Sequence, residues 1–215
     1  MTMLKKKFNK ARPAARQRGV VLLFCLIILA VLLAGGVAIV RSLNTSMAAA
    51  GNLAFRRDLV NQGEQAISTA MQAFGTGGAL ETVEATSENR PGVNYSAIEL
   101  ATNLRGIPEL LLKTTDTPSG KDVANNTFTP TGGDLTGSDG VKIRYVIDRL
   151  CNTDGAFATL GSARCVASPV AMATGGTATE DRPPVSSPPL YRVTVRVDGP
   201  RDTQVFLQSS FSKPE

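Results

Sequence analysis

The side chains of this sequence that are best suited to covalent chemistry are its three cysteines. Cys25 lies in a long apolar segment, whereas Cys151 and Cys165 lie in the polar C-terminal part. If that part is exported to an oxidising compartment such as the bacterial periplasm, a bridge closing a loop of about 15 residues would stabilise it by on the order of 3 kcal/mol. We therefore predict a Cys151–Cys165 disulfide. The alternatives are free buried thiols and, less favoured without histidine or a C-x-x-C pair, a metal site.

Enzymatic chemistry is not expected, because the chain contains no histidine. This excludes Ser-His-Asp and Cys-His catalysis as well as the H-E-x-x-H zinc site. Serine–lysine chemistry is not excluded by composition alone. We predict that the protein is not an enzyme and needs no cofactor.

Four aspartates before the C-terminal strands have side chains that calcium accepts as ligands. They are Asp116, Asp122, Asp134 and Asp139. Residues 134–140 supply oxygen ligands and glycines, but their spacing is not that of an EF-hand. We favour a solvated polar loop here, and no metal site is predicted.

The N-terminal elements that precede these groups are defined by charge. Seven Lys and Arg residues and no acid precede Gly19, and residues 20–40 carry no charge. At about 1.5 Å per residue, a helix over residues 20–40 is roughly 31 Å long, which matches the bilayer core of about 30 Å. The basic cluster places the N-terminus in the cytoplasm and everything after Arg41 on the other side of the membrane. A secretory signal differs, because its cleavage site follows the apolar stretch.

The formal net charge of +5 comes entirely from this leader. Seven of the 23 Lys and Arg residues lie before Gly19 and all 18 Asp and Glu residues lie after it, so the rest of the chain carries −2. The chain also has no tryptophan and only three tyrosines. No basic face and no stacking platform for bases can be identified, and nucleic-acid binding is not predicted.

The helix that begins in the apolar segment is predicted to continue far beyond it. No proline occurs between residues 13 and 91, and a helix over residues 20–74 would be about 80 Å long. Gly35, Gly36 and Gly51 weaken this helix and predict a kink or a melted turn there. The alternative for Gly35 and Gly36 is that small residues let transmembrane helices approach one another closely. Beyond the membrane, apolar residues recur at helical spacing and predict an amphipathic continuation. These residues are Leu43, Met47, Ala50, Ala54, Ala66, Ile67, Ala70, Met71 and Phe74.

The remaining residues predict a small β-rich domain. Apolar and polar side chains alternate over residues 141–148 and 190–211, and the turn at 198–202 makes the second segment a hairpin. Residues 114–140 and 167–189 are rich in Gly, Pro, Ser and Thr and are predicted loops. A short helix is expected within residues 95–112, limited by Pro108. The predicted fold class is α+β, with the amphipathic half of the long helix packed on a small antiparallel sheet.

Several segments together resemble one protein family. Residues 18–23 (RGVVLL), the apolar run, residues 47–52 (MAAAGN) and residues 58–70 are similar to the N-terminal region of PilX-type minor pilins, which are type IV pilus assembly proteins of Gram-negative bacteria. Residues 191–201 (YRVTVRVDGPR), preceded by the cysteine pair, are similar to the end of that family. The resemblance is good over about residues 16–75 and 188–211 and poor between them.

The resemblance implies a type IV pilin-like division of the chain. Residues 1–19 would be a basic prepilin leader, 20–40 the transmembrane half of the N-terminal helix, 41–75 its amphipathic half and 76–215 an exported domain with long loops. A prepilin peptidase would cleave between Gly19 and Val20, and the new N-terminus at Val20 would be methylated. Val20 stands where the general pattern has phenylalanine, and Phe24 where it has glutamate.

The missing glutamate implies a place at or near the pilus tip. In major pilins that buried carboxylate is thought to pair with the amine of a neighbouring subunit, because burying it unpaired is costly. The implied function is priming or capping of pilus assembly together with other minor pilins, the major pilin and a large tip adhesin, so that any role in twitching motility or adhesion is indirect. The implied location is the bacterial inner membrane, with a periplasmic domain, and then the pilus tip.

Other classes of protein stay open on the sequence. One is an uncleaved bitopic membrane protein with a periplasmic sensor, adhesin or binding domain. A variant of it has residues 36–38 as a signal-peptidase site that releases a soluble domain. A third is a minor pseudopilin of type II secretion, which shares the N-terminal helix.

Overall fold

The computed structural model describes residues 19–168 and 188–213. The basic leader up to residue 18, most of the predicted loop 167–189 and the last two residues lie outside the described residues. The helices are α1 (Val20–Gln72), α2 (Val83–Ser87), α3 (Glu109–Leu112) and α4 (Phe157–Arg164). The strands are β1 (Tyr95–Ser96), β2 (Gly120–Lys121), β3 (Thr127–Phe128), β4 (Leu135–Thr136), β5 (Lys142–Arg149), β6 (Leu190–Gly199) and β7 (Thr203–Ser212). Short 3-10 helices cover Pro91–Val93, Ser138–Gly140 and Pro200–Asp202.

The long N-terminal helix is present, and α1 ends two residues before the predicted end. Its helical assignment is continuous through Gly35, Gly36 and Gly51, so the expected melted turn is absent from the described helix. Glycine weakens a helix but keeps its N–H donor, and the hydrogen-bond ladder therefore continues. The helix stops in a glycine-rich turn in which Gly75 N–H donates to Gln72 O at 3.0 Å.

The chain divides into two compact units after Leu53. In the first unit, every described residue from Gly19 to Leu53 is exposed. The second unit begins at Ala54 and holds the sheet, the short helices and the last turns of α1. The hydrophobic core belongs to this second unit.

The sheet of the second unit is mixed. Its strand order is β1-β5-β6-β7, with β4 also paired to β5, and β2 and β3 form a separate two-stranded ladder. The pairs β4–β5, β5–β6 and β6–β7 are antiparallel, but β1 runs parallel to β5 through Tyr95 opposite Ile147. The predicted purely antiparallel sheet is therefore wrong at this edge. A two-residue strand is too short to show an alternating pattern in the sequence.

The C-terminal hairpin is confirmed. β6 and β7 pair without a break from Leu190 opposite Ser212 to Gly199 opposite Thr203. The predicted strand over residues 141–148 is also present, as β5. In the hairpin strands and in β5, residues that face the helix alternate with residues that face away from it, as the period of two requires.

The core lies between one face of the sheet and the last turns of α1. Leu59, Ala66 and Ala70 of α1 are fully buried against strand residues such as Val193 and Val195. The contact is close at Gly63, where an added Cβ would lie 2.7 Å from Leu207 Cδ1. Leu59 and the small residues Gly63, Ala66 and Ala70 share this face at helical spacing, which lets the sheet approach the helix closely.

The predicted apolar stripe was partly misplaced. Ala66, Ile67, Ala70 and Phe74 do pack in the core or against it. Met71 is exposed because it faces away from the packed side of the helix. Four other predicted members are exposed because they lie before the packed region, namely Leu43, Met47, Ala50 and Ala54. The stripe fails there because helical spacing shows which side chains share a face, and not how far along the helix the sheet extends.

A second, smaller cluster covers the opposite face of the sheet. Val146 points away from the helix because its neighbours Tyr145 and Ile147 point toward it. It packs with Leu110 and Leu111 of α3. The short helix predicted within residues 95–112 is present, but it covers only the last four of those residues, because Pro108 immediately precedes it. The predicted loop 114–140 contains β2, β3 and β4, each two residues long.

Candidate functional site

The junction between leader and helix is the first candidate site. Gly19 is described with φ +117°, a conformation that side-chain-bearing L-residues rarely adopt. Helix α1 begins at the next residue, Val20, and Leu23 N–H donates to Gly19 O at 3.3 Å. The helix therefore begins at the peptide bond predicted to be cleaved.

The apolar segment after this junction is uncovered. One helix near the N-terminus, α1, is long and apolar enough to cross a membrane, and its most apolar 18-residue stretch has no buried residue. A soluble core helix of this composition would be mostly buried, whereas a signal sequence would meet the same criterion. Phe24 is 58% exposed, and the free Cys25 is exposed beside it.

The start of α1 carries no acidic side chain in its first turn. A helix N-terminus has a partial positive charge from its unpaired N–H groups. Neither Val20 nor Phe24 has an acidic side chain that could neutralise that charge.

The predicted disulfide between Cys151 and Cys165 is present in the second unit. Both cysteines are nearly buried, and their backbones form an antiparallel bridge. The loop that they close contains α4. Its start is fixed by Asn152 N–H, which donates to Arg164 O at 2.9 Å. The bridge therefore closes a loop that the backbone already holds together at its base.

A buried ion pair joins β5 and β6, which the sequence did not indicate. Asp148 is fully buried and accepts hydrogen bonds from Arg192 Nε at 3.0 Å, from Arg192 Nη2 and from Leu100 N–H at 3.0 Å. Glu99 Oε1 lies 3.4 Å from Arg192 Nη1. Burial raises the pKa of Asp148, and the hydrogen bonds from Arg192 and Leu100 oppose this. The pair lies inside the fold and cannot reach a substrate.

A second buried arginine has no acidic partner among the described residues. Arg149 is fully buried, and its Nε and Nη2 donate to Ala97 O at 3.2 Å and Gly155 O at 2.8 Å. It thereby ties the end of β5 to the segment before α4. The alternation of β5 gave no sign of this role, because arginine in a strand normally faces water.

The four aspartates do not come together as a cation site. Asp134 accepts from Arg144 Nε at 2.8 Å and Nη2 at 2.7 Å, and this hydrogen bonding raises the pKa of Arg144. Asp122 is buried and accepts from Asn126 N–H at 2.8 Å. Asp139 has a left-handed backbone, φ 55°, in a 3-10 turn. Across residues 19–168 and 188–213, no three His, Cys, Asp or Glu side chains are grouped so as to hold a metal ion.

A cleft in the second unit lies beside Arg144. Its volume is about 280 Å³, and its walls are residues 116–118 and 129–134 with Asn94 and Tyr145. Burial raises the pKa of Tyr145. The Arg144 guanidinium already donates hydrogen bonds to Asp134 and to backbone carbonyls. The cleft therefore presents mainly threonine, proline and glycine.

One serine and one lysine have Ser-x-x-Lys spacing at the end of β7. They are Ser210 and Lys213. Lys213 Nζ donates to the carbonyl oxygens of Leu80 and Glu81. On a strand, residues three apart face opposite sides, so the lysine cannot serve as the base for this serine.

The described residues thus include a disulfide in the second unit and an uncovered apolar segment at the start of α1. The junction at Gly19 and the apolar segment after it form one candidate site, in the first unit. Comparison with family models, curated proteins and solved structures found no match for this chain.

Proposed function

We propose that this protein is a PilX-type minor pilin that primes or caps type IV pilus assembly in the inner membrane. The observation that carries the proposal is the junction at Gly19, where a leader with seven basic residues meets a helix that begins at Val20 and has no charge up to residue 40. A prepilin peptidase would cleave this bond, and the new amino group of Val20 would be methylated.

The uncovered first part of α1 supports a membrane role before assembly. Its side chains are exposed over residues 20–53, while the sheet packs on α1 only from Phe55 onward. An exposed apolar surface of this length requires lipid or protein around it. In the proposed function it lies in the inner membrane first and then among the helices of other pilins.

Phe24 supports placement at the tip. The first turn of α1 has no acid, so this subunit offers no carboxylate at that position to the amino group of a neighbouring subunit. A subunit at the end of a filament lacks one neighbour and can dispense with that pairing. Its partners would be other minor pilins, the major pilin and a large tip adhesin, and its contribution to motility and adhesion would be indirect.

The proposal is tested by counting surface pili on cells of the producing bacterium that lack this chain. Wild-type protein should restore pili, and Gly19→Val should not, because the peptidase would no longer release Val20. Phe24→Ala is the matched control, since it changes the same helix end without changing the junction, and it should restore pili. Normal piliation without the chain, or full restoration by Gly19→Val, would reject the proposed function.

A further inference from the structure

Three triplets of the chain have the Asn-x-Ser/Thr spacing of an acceptor for N-linked glycans. They are residues 44–46 (NTS), 94–96 (NYS) and 125–127 (NNT), and none has proline in the middle. The signal consists of the asparagine carboxamide and the hydroxyl two residues later, so an enzyme that modifies the triplet must reach both groups. The structure places the three triplets, which we call sequons, in different surroundings.

Two of the sequons withhold the hydroxyl. Asn94 is 2% exposed, and the hydroxyl of the fully buried Ser96 donates to Ile98 O. Asn44 is exposed, but it lies within the continuous helix α1, and Ser46 Oγ donates to the carbonyl oxygen four residues earlier at 2.9 Å. The backbone there is also fixed by the helical hydrogen bonds. Neither sequon therefore presents both groups of the signal.

The third sequon lies at the turn between β2 and β3. Residues 123–127 are all exposed, and Asn125 has a left-handed backbone with φ 69°. Its Oδ1 accepts from Lys121 Nζ at 2.6 Å. Its Nδ2 and the hydroxyl of Thr127 make no hydrogen bond with another described residue. Both groups of the signal are therefore accessible at this turn.

The contacts that hold the turn leave Asn125 outside them. Asp122 is 3% exposed and accepts from Asn126 N–H at 2.8 Å and from Asn126 Nδ2 at 3.1 Å. Phe128 of β3 packs in the small cluster with Leu110. Of the two adjacent asparagines, one is thus bonded to a buried carboxylate. A glycan on the other would project from the turn and would leave these contacts intact.

We propose that Asn125 is a glycosylation site, at which Nδ2 receives an oligosaccharide from a polyprenyl pyrophosphate donor. The bond from the sugar C1 to the pyrophosphate oxygen breaks, and a bond from C1 to Nδ2 forms. The pyrophosphate leaves with the electron pair, and the proton lost from Nδ2 goes to a base of the transferase. The proposal rests on export of the second unit, which is part of the proposed function and also of the bitopic alternative.

Asn125 also has a conformational role, because asparagine tolerates a left-handed backbone in a turn. Asn125→Asp separates this role from that of an acceptor. Aspartate tolerates the same backbone and keeps an oxygen for Lys121, but it has no amide nitrogen to accept a sugar. Thr127→Val and Thr127→Ser are a matched pair, since both remain β-compatible and only serine keeps the hydroxyl. Asn44→Gln is the control for a sequon that the structure disfavours.

The test is mass spectrometry of tryptic peptides of the full chain, purified from membranes of the cells that produce it. Cleavage after Lys121 and Lys142 gives the peptide 122–142. We expect this peptide to carry an added mass composed of sugar residues, which fragment ions locate on Asn125. The modification should be retained in Thr127→Ser and Asn44→Gln and lost completely in Asn125→Asp and Thr127→Val.

Three results would overturn the proposal. They are an unmodified wild-type peptide 122–142, an added mass on its serine or threonine residues, and a modification that persists in Thr127→Val. The N-terminus of the same samples reports separately on the proposed function. A start at Val20 with unmodified Asn125 rejects only the glycan, whereas a glycan on a chain that still begins at Met1 rejects only the pilin function.

Discussion

Replacement of Asp148 by asparagine tests whether the buried ion pair holds the sheet together. Asp148→Asn keeps the size of the side chain but removes the charge that faces Arg192. Breaking a buried pair by removing one partner typically costs about 3–5 kcal/mol, because the other charge stays buried. Arg192 keeps Glu99 at 3.4 Å, so we expect the lower end, about 3 kcal/mol.

The control is Asp134→Asn, which breaks a pair with similar hydrogen bonds and different burial. The Asp134 side chain is 31% exposed, and that of Asp148 is fully buried. Exposed pairs contribute about 0.2–1 kcal/mol, so this variant should cost less than about 1 kcal/mol. The comparison separates the effect of burial from that of the hydrogen-bond count.

The assay is urea unfolding of the full chain in detergent, followed by near-ultraviolet circular dichroism. All three tyrosines, Tyr95, Tyr145 and Tyr191, lie in the second unit and there is no tryptophan, so the tyrosine signal reports this unit alone. With a slope of about 2 kcal/mol per molar urea, Asp148→Asn should lower the midpoint by about 1.5 M. If it costs no more than Asp134→Asn, the role given to the buried pair is wrong.

Two further predictions concern the disulfide and the helix–sheet contact. Cys165→Ser should lower the free energy of unfolding by about 3 kcal/mol, and a reductant should lower that of the wild type equally while leaving the variant unchanged. Gly63→Val should cost about 1–3 kcal/mol, because even its Cβ would lie 2.7 Å from Leu207 Cδ1 and 2.8 Å from Val197 Cγ2. Gly51→Ala, which meets nothing within 4 Å, should not destabilise the chain, and an equal loss in both glycine variants would contradict the described packing.

The elements that could be predicted from the sequence are those with a long repeating pattern. Helix α1 and the hairpin of β6 and β7 extend over many residues, and each has a clear period or an uncharged run. The cysteine pairing could be predicted because only two cysteines lie beyond the apolar segment. Each of these features depends on residues that are close together in the sequence or on a single pair of residues.

The features that could not be predicted depend on contacts between distant parts of the chain. β1 and β4 have two residues each and exist only because β5 lies beside them. The pairing of Asp148 with Arg192 follows from the register of β5 with β6, which alternation alone does not specify. The burial of Gly63 could not be predicted for the same reason, because it depends on a distant contact. The lack of a side chain matters there only because Leu207 packs against it.

The measurement that tests the central claim most directly is the mass and sequence of the mature N-terminus. It is made on membranes from cells with and without the prepilin peptidase. We predict a chain that begins at N-methylated Val20 when the peptidase is present and at the original N-terminus when it is absent. A start at Met1 in both cells, or a start near Ile39, would contradict the pilin proposal and indicate a bitopic or a secreted protein.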